Sequence, residues 1–162
     1  MNLFRLAGAL FLAGLPPGRA EITPASPAVL QNLPSVGVRV GWVSHDGVVF
    51  GMSNAELVRA VAVPLQQAGV RVLPAGERPA AADMPMLEIG AHVIRIGIRG
   101  RLYLITLQLC EAAQTARNPS PAPAVTWQAV SDGYSGRPEQ VFRDCRELAR
   151  RFVAEWGANP RR

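Results

Sequence analysis

His45 and Asp46 stand side by side in the segment HDGVVFGM, which follows the first expected strand. A loop at a strand end is a common home for catalysis, and a His-Asp pair could orient a general base for hydrolysis. Adjacent loop residues seldom face one another, however, and Asp46-Gly47 is also ordinary turn chemistry. The other histidine, His92, falls on an expected strand and reads as a sheet-surface residue rather than a ligand. Arg95, Arg99 and Arg101 gather at an expected hairpin tip, with Gly97 and Gly100 allowing close backbone approach. Their guanidinium forks could hold the phosphates or carboxylates of an anionic lipid or glycolipid. They could equally be the charges that keep a sheet from pairing with its neighbours.

Cys110 and Cys145 are the only two cysteines. In an oxidising compartment an even pair reads as a disulfide, which would stabilise the fold by about 3 to 4 kcal/mol through the loop it closes. Against it, Cys110 has the parity of Thr106 and Gln108, whereas Cys145 falls on the apolar stripe of its helix. Two small buried thiols are the alternative. No third cysteine and no nearby histidine supports a zinc site or a Cys-His nucleophile. The sequence has no nucleophile elbow, P-loop, dinucleotide fingerprint or paired-histidine helix, so catalysis is disfavoured and no cofactor is implied.

These residues are positioned by a long β-hairpin from Met86 to Glu111, the longest stretch with a two-residue period. Tyr103, Ile105, Leu107 and Leu109 define a core face on its second arm. On the first arm the apolar phase changes from Leu87, Ile89, Ala91 and Val93 to Ile94, Ile96 and Ile98. A one-residue bulge near Val93 and Ile94, with a two-residue turn at Arg99-Gly100, would bring both sets inward: Ile96 opposite Tyr103, Ile94 opposite Ile105, Ala91 opposite Leu107 and Ile89 opposite Leu109.

Around this hairpin the remaining elements are expected in a simple order. Val36 to Ser44 forms a strand with Val36, Val38, Val40 and Trp42 on one face. Ser53-Asn54-Ala55-Glu56 is a capping box that starts a helix with Leu57, Val58, Val61, Leu65 and Ala68 on its apolar side. Pro64 should kink that helix near Ala60, and Gly69 should end it. Val70 to Leu73 is a short strand. TARNPSPAP carries three prolines and reads as a loop. Ala124 to Val130 is a fifth strand. The final helix begins near Pro138 and buries Val141, Phe142, Cys145, Leu148, Ala149, Phe152, Val153 and Trp156, with Arg143, Glu147, Arg151 and Glu155 as a solvated ladder opposite. The order β-α-β-β-β-β-α predicts an α/β two-layer sandwich, a mixed and mainly antiparallel sheet with two helices on one face, whose first two strands are parallel.

At 162 residues and 49% hydrophobic, the chain suits one domain with its own core, expected over residues 35–158. All 17 basic residues are arginine, which with abundant Ala, Gly and Pro suggests a GC-rich bacterial genome. The first twenty residues have a charged start at Arg5, an apolar run from Leu6 to Leu15, and a small-x-small end at Gly18-Arg19-Ala20. They read as a secretory signal peptide cleaved after Ala20, the apolar run being too short to span a membrane. Its removal leaves fifteen arginines against twelve acids, a net charge of +3. So mild a charge does not call for nucleic acid, and the aromatics needed for base stacking are committed to the core. Residues 21–34 form an extended, proline-broken leader.

The signal peptide, the capped helix ending LQQAGVRVLP and the hairpin arm RLYLITLQL together resemble small bacterial periplasmic proteins of unknown function. More loosely, the order of elements is similar to envelope domains of the anticodon-binding-like βαββ type, such as the N-terminal domain of the periplasmic Tol-system protein and the lipoprotein subunit of the lipopolysaccharide translocon. The resemblance implies a non-catalytic binding or adaptor role in the periplasm with an envelope protein partner and no transmembrane span. It lacks the cleavage-site cysteine of the lipoprotein members. A small periplasmic hydrolase using His45 and Asp46, or an anionic lipid or glycolipid binder using the tip arginines, are the alternatives.

Overall fold

The computed structural model describes residues 35–73, 85–98, 100–115 and 118–157. The segments expected as signal peptide and leader, residues 74–84 and Arg99 lie outside the described residues. Eight elements follow in chain order: β1 (Val36–Val43), α1 (His45–Val49), α2 (Asn54–Gln67), β2 (Val72–Leu73), β3 (Met86–Ile96), β4 (Gly100–Thr115), β5 (Asn118–Ser135) and α3 (Pro138–Gly157). The five strands form one sheet in the order β2-β1-β3-β4-β5. The architecture is the expected α/β sandwich of a mixed sheet with helices on one side.

β1 is parallel to β2, as expected, and parallel also to β3, where an antiparallel neighbour was expected. The chain therefore returns to the same end of the sheet before β3 as it does before β2. From β3 onwards the sheet is an antiparallel meander.

α2 starts as its capping box predicts, with the Glu56 amide donating to Ser53 Oγ at 3.2 Å. The Glu56 carboxylate accepts the Ser53 hydroxyl at 2.7 Å rather than reaching the backbone. Gly69 follows the helix at φ +82°, the left-handed conformation that costs glycine least. Pro64 lies inside α2, which runs through it to Gln67; the Pro64 carbonyl still accepts the Ala68 amide at 3.1 Å.

α3 buries Val141, Cys145, Leu148, Ala149 and Phe152, while Phe142, Val153 and Trp156 pack at the margin of the same core. The helix-facing side of the sheet supplies Val36, Val38, Leu87, Ile89, Ile105, Leu107, Leu109 and Trp127. Trp127 meets Phe152 edge to face at 5.0 Å between centroids, and its indole N–H donates to Glu155 at 2.6 Å. Of the expected ladder on the outer side of α3, Arg151 to Glu155 forms at 2.9 Å, while Glu147 pairs with Arg150.

Three expectations are corrected by the register. First, β3 has no bulge: it pairs residue by residue with β4 from Met86↔Cys110 to Ile96↔Gly100 around a three-residue turn. Leu87 faces Leu109, Ile89 faces Leu107, Ala91 faces Ile105 and Val93 faces Tyr103, all buried, while Ile94 and Ile96 point away from the helices. The phase change is real but marks where the open face of the strand turns apolar, at Ile94 and Ile96. Second, the bulge is in β1, where the register steps from Val40↔Ile89 to Trp42↔Gly90. One extra residue reverses the parity and turns Trp42 onto the open face of the sheet. Its indole lies across Gly90, where a Cβ would sit 2.7 Å from Nε1. Third, the proline-rich segment is strand rather than loop, since β5 begins at Asn118 and includes Pro119, Pro121 and Pro123. β5 is an edge strand, and an edge tolerates residues without an amide proton.

Candidate functional site

The segment after β1 turns Asp46 toward the sheet rather than toward His45. The ladder between β1 and β3 ends at Val43↔Ala91, and the Ser44 amide then donates to the Ala91 carbonyl at 2.9 Å. Beyond that point side chains take the place of strand backbone. Ser44 Oγ accepts from the Val93 amide at 2.9 Å and donates to the Val93 carbonyl at 3.1 Å. The same hydroxyl caps α1 through the Gly47 amide at 3.3 Å. Two residues on, Asp46 accepts the Arg95 amide at 3.1 Å. Asp46 is thus engaged by the sheet edge, and no hydrogen bond joins it to the exposed His45. The single-turn helix α1 stands where a loop was expected, and its cap is what places Asp46.

Arg95 and Arg101 are directly opposite one another in the β3–β4 pair, and Arg101 is in turn opposite Ser135 of β5. Arg95 Nε donates to the Gly97 carbonyl at 3.2 Å, and Arg101 Nη1 to the Gly100 carbonyl at 3.0 Å. The Arg101 guanidinium also lies over the Phe50 ring, 5.5 Å from its centroid. The ion pairs among the described residues join Arg39 to Glu88, Arg150 to Glu147 and Arg151 to Glu155, and include neither hairpin arginine.

The largest feature is the face of the sheet that the helices leave open. Trp42, Ile94, Ile96, Leu102, Leu104 and Tyr134 are all exposed there, Tyr134 to 62%. His92 joins them, its ring 5.9 Å from that of Trp42. Toward the other end the same face turns polar, with Arg39 donating to Glu88 at 2.7 Å and Gln108 to Gln128 at 3.1 Å. The open face is therefore divided, apolar near the β3–β4 turn and polar away from it.

A polar network that the sequence did not announce lies under the helices. Asp144 of α3 accepts from the Tyr103 hydroxyl at 2.7 Å, from Ser131 at 3.3 Å and from Gln140 at 2.8 Å. Gly133 stands opposite Tyr103, where a Cβ would come within 2.6 Å of the phenol ring. Burial, and then the Asp144 carboxylate, push the Tyr103 hydroxyl well above the usual phenol range. The signal in the sequence was a core-phase tyrosine, whose hydroxyl requires a partner when buried. Each Asp144 oxygen is already engaged, so the network fastens α3 to β4 and β5 rather than offering a free base.

The expected disulfide is absent: both thiols are free. Cys110 lies on the open side of β4, with Glu88 beside it, while Cys145 is in the core on the other side of the sheet. The parity conflict in the sequence is the physical reason. Burial pushes the Cys145 thiol up to about 12, with Asp144 adding to the effect. Burial and then Glu88 raise Cys110 as well. Both are held as thiols, the poor form for nucleophilic or metal chemistry. Among the described residues no group of three or more histidines, cysteines and carboxylates is placed to hold a metal ion, and no helix is long and apolar enough to cross a membrane.

No protein-family model and no curated protein matches the chain. Among solved structures, a PelC dodecamer from Paraburkholderia phytofirmans is similar over 78% of this chain and 90% of its own, with 15% identity and a TM-score of 0.46. A minor lipoprotein from Acinetobacter baumannii is similar over 80% and 94%, with 10% identity and a TM-score of 0.37. Both likenesses are distant.

Proposed function

We propose that this chain is an exported, non-catalytic binding or adaptor domain of the bacterial cell envelope, with residues 35–158 as the binding unit and an envelope protein as its partner. The observation that carries this reading is the division of the sheet. One side is closed by α2 and α3, while the other presents Trp42, Ile94, Leu102, Leu104 and Tyr134 to solvent. An apolar patch with a polar border is the usual form of a protein contact surface. The N-terminal segment, read as a signal peptide, supports export.

The test is a photo-crosslinking residue placed at Leu104 in the full chain expressed in its bacterial host, with the same residue at Arg143 on the exposed side of α3 as the control. A defined protein adduct from position 104 in the periplasmic fraction, and none from 143, is the expected result. Retention of the protein in the cytoplasm, or equal labelling from both positions, would overturn the reading.

A further inference from the structure

Turns are normally built from polar residues or glycine, because their side chains face water. The β3–β4 turn instead carries Ile98, exposed to 85%, the highest value for any large apolar side chain among the described residues. Gly97, at φ +63°, provides the left-handed step that turns the chain at this point. Ile96 and Ile94 continue the apolar surface down one side of the hairpin, with Leu102 and Tyr134 beside them.

Immediately behind this apolar tip is the Arg95↔Arg101 pair. Like charges directly opposite across two strands repel and destabilise a sheet. No carboxylate among the described residues forms an ion pair with either arginine, and Asp46 approaches only the Arg95 backbone. Arg137 adds a further exposed cation two residues past Ser135, the β5 residue that pairs with Arg101. At about 3.3 Å per strand residue, the arginine pair lies within roughly 10 Å of Ile98. That spacing matches the depth of about 5 to 10 Å to which interfacial segments bury their apolar side beneath lipid headgroups.

We propose that the β3–β4 hairpin tip docks on an anionic phospholipid bilayer, with Ile98 entering the acyl boundary and Arg95 and Arg101 pairing with headgroup phosphates. Neither half of this arrangement suffices alone. The isoleucines give depth without preference for charge, and the arginines give preference for anionic headgroups without depth. The proposal rests on the envelope reading for its encounter with a membrane, but it uses the tip rather than the middle of the open sheet face.

The experiment is co-flotation of the full chain, purified from the periplasmic fraction of an expressing bacterium, with vesicles of phosphatidylcholine alone or with phosphatidylglycerol added. Wild type should float with the anionic vesicles and much less with the neutral ones. Each arginine near an anionic surface contributes about five-fold in affinity, so R95Q/R101Q should lose roughly 25-fold at low salt. Ile98→Asp should lose at least as much, and Ile98→Trp should gain, since indoles favour the membrane interface. Ile98 makes little contact with the rest of the fold, so its variants should keep the wild-type circular dichroism and melting temperature.

Flotation of Ile98→Asp equal to wild type would overturn the proposal and assign any binding to another part of the chain. So would wild type that ignores anionic vesicles, or a self-associated wild type that Ile98→Asp converts to monomer without change in lipid binding. Loss of lipid binding with the Leu104 adduct intact would leave the adaptor reading standing, whereas loss of that adduct alone would leave the membrane tip standing.

Discussion

Ser44→Ala tests whether two side chains replace the strand that β1 does not supply along the edge of β3. The hydroxyl makes three contacts, with the Val93 amide at 2.9 Å, the Val93 carbonyl at 3.1 Å and the Gly47 amide at 3.3 Å. Val93 is only 2% exposed, so its amide has little access to water once the hydroxyl is gone. A buried amide left unsatisfied costs about 1 to 3 kcal/mol, and loss of a helix cap typically about 1 kcal/mol. The one-turn length of α1 makes the cap the smaller part, which gives about 2 kcal/mol in all. Ser53→Ala is the matched control, because Ser53 caps α2 at an exposed site and bridges no strand; it should cost about 1 kcal/mol. Urea unfolding followed by tryptophan fluorescence would resolve the two, the larger loss moving the midpoint by roughly 1 M. Amide exchange should also quicken at Val93 and Arg95. If Ser44→Ala costs no more than Ser53→Ala, the hydroxyl is only a helix cap and the account of the β3 edge is wrong.

Tyr103→Phe should cost about 1 to 2 kcal/mol by thermal or urea unfolding, because Asp144 keeps Ser131 and Gln140 as donors; an effect near zero would show that the phenol is solvated rather than bonded. Stability should also fall at alkaline pH. Groups whose folded pKa lies above the ordinary value stabilise the fold fully below the ordinary value and lose that contribution as pH rises. Melting temperature should therefore decline from about pH 9, where an exposed cysteine would begin to ionise, through about 12 for Cys145, with Tyr103 adding its share above pH 10. Cys145→Ala should flatten the first part of that decline. Thiol titration in denaturant without reductant should find two thiols per chain, one of which, Cys110, reacts first in the native protein; no reactive thiol would restore the disulfide. Acrylamide should quench Trp42 and spare Trp127, so that Trp42→Phe removes most of the quenchable emission; an unchanged quenching curve would place the bulge elsewhere.

Both long helices were legible because each announces itself twice, by periodicity and by its ends: Ser53 and Gly69 for α2, Pro138 and an unbroken apolar stripe for α3. The second arm of the hairpin was legible for the same reason. Its first arm was not, because period identifies a face only when the opposite face is polar, and near the turn β3 carries Ile94 and Ile96 on its open face. The face of Trp42 is not legible from the sequence, because the step at Val40/Trp42 depends on what β3 offers alongside it, which neighbouring residues do not encode. The prolines of β5 argued against a strand only under the assumption of two partners. The contacts from Asp144 to Tyr103 and from Asp46 to Arg95 join residues 41 and 49 positions apart. Tyr103 announced only that it needed a partner, and Asp46 announced a turn.

The prolines of β5 also bear on what the sheet can grow into. Pro119, Pro121 and Pro123 each lack the amide proton with which a strand position meets a neighbour. The register with β4 holds at Ala112↔Pro123 and Ala113↔Ala122 and then shifts before Thr115↔Asn118, so Pro119 and Pro121 fall in the irregular stretch. An incoming strand along this part of β5 would meet three positions without a donor and a broken register. The opposite border of the sheet is β2, two residues long. Ribbon-like stacking of copies into fibrils is therefore obstructed at both borders, which suits a chain whose most exposed isoleucine sits on a turn and whose apolar sheet face meets water.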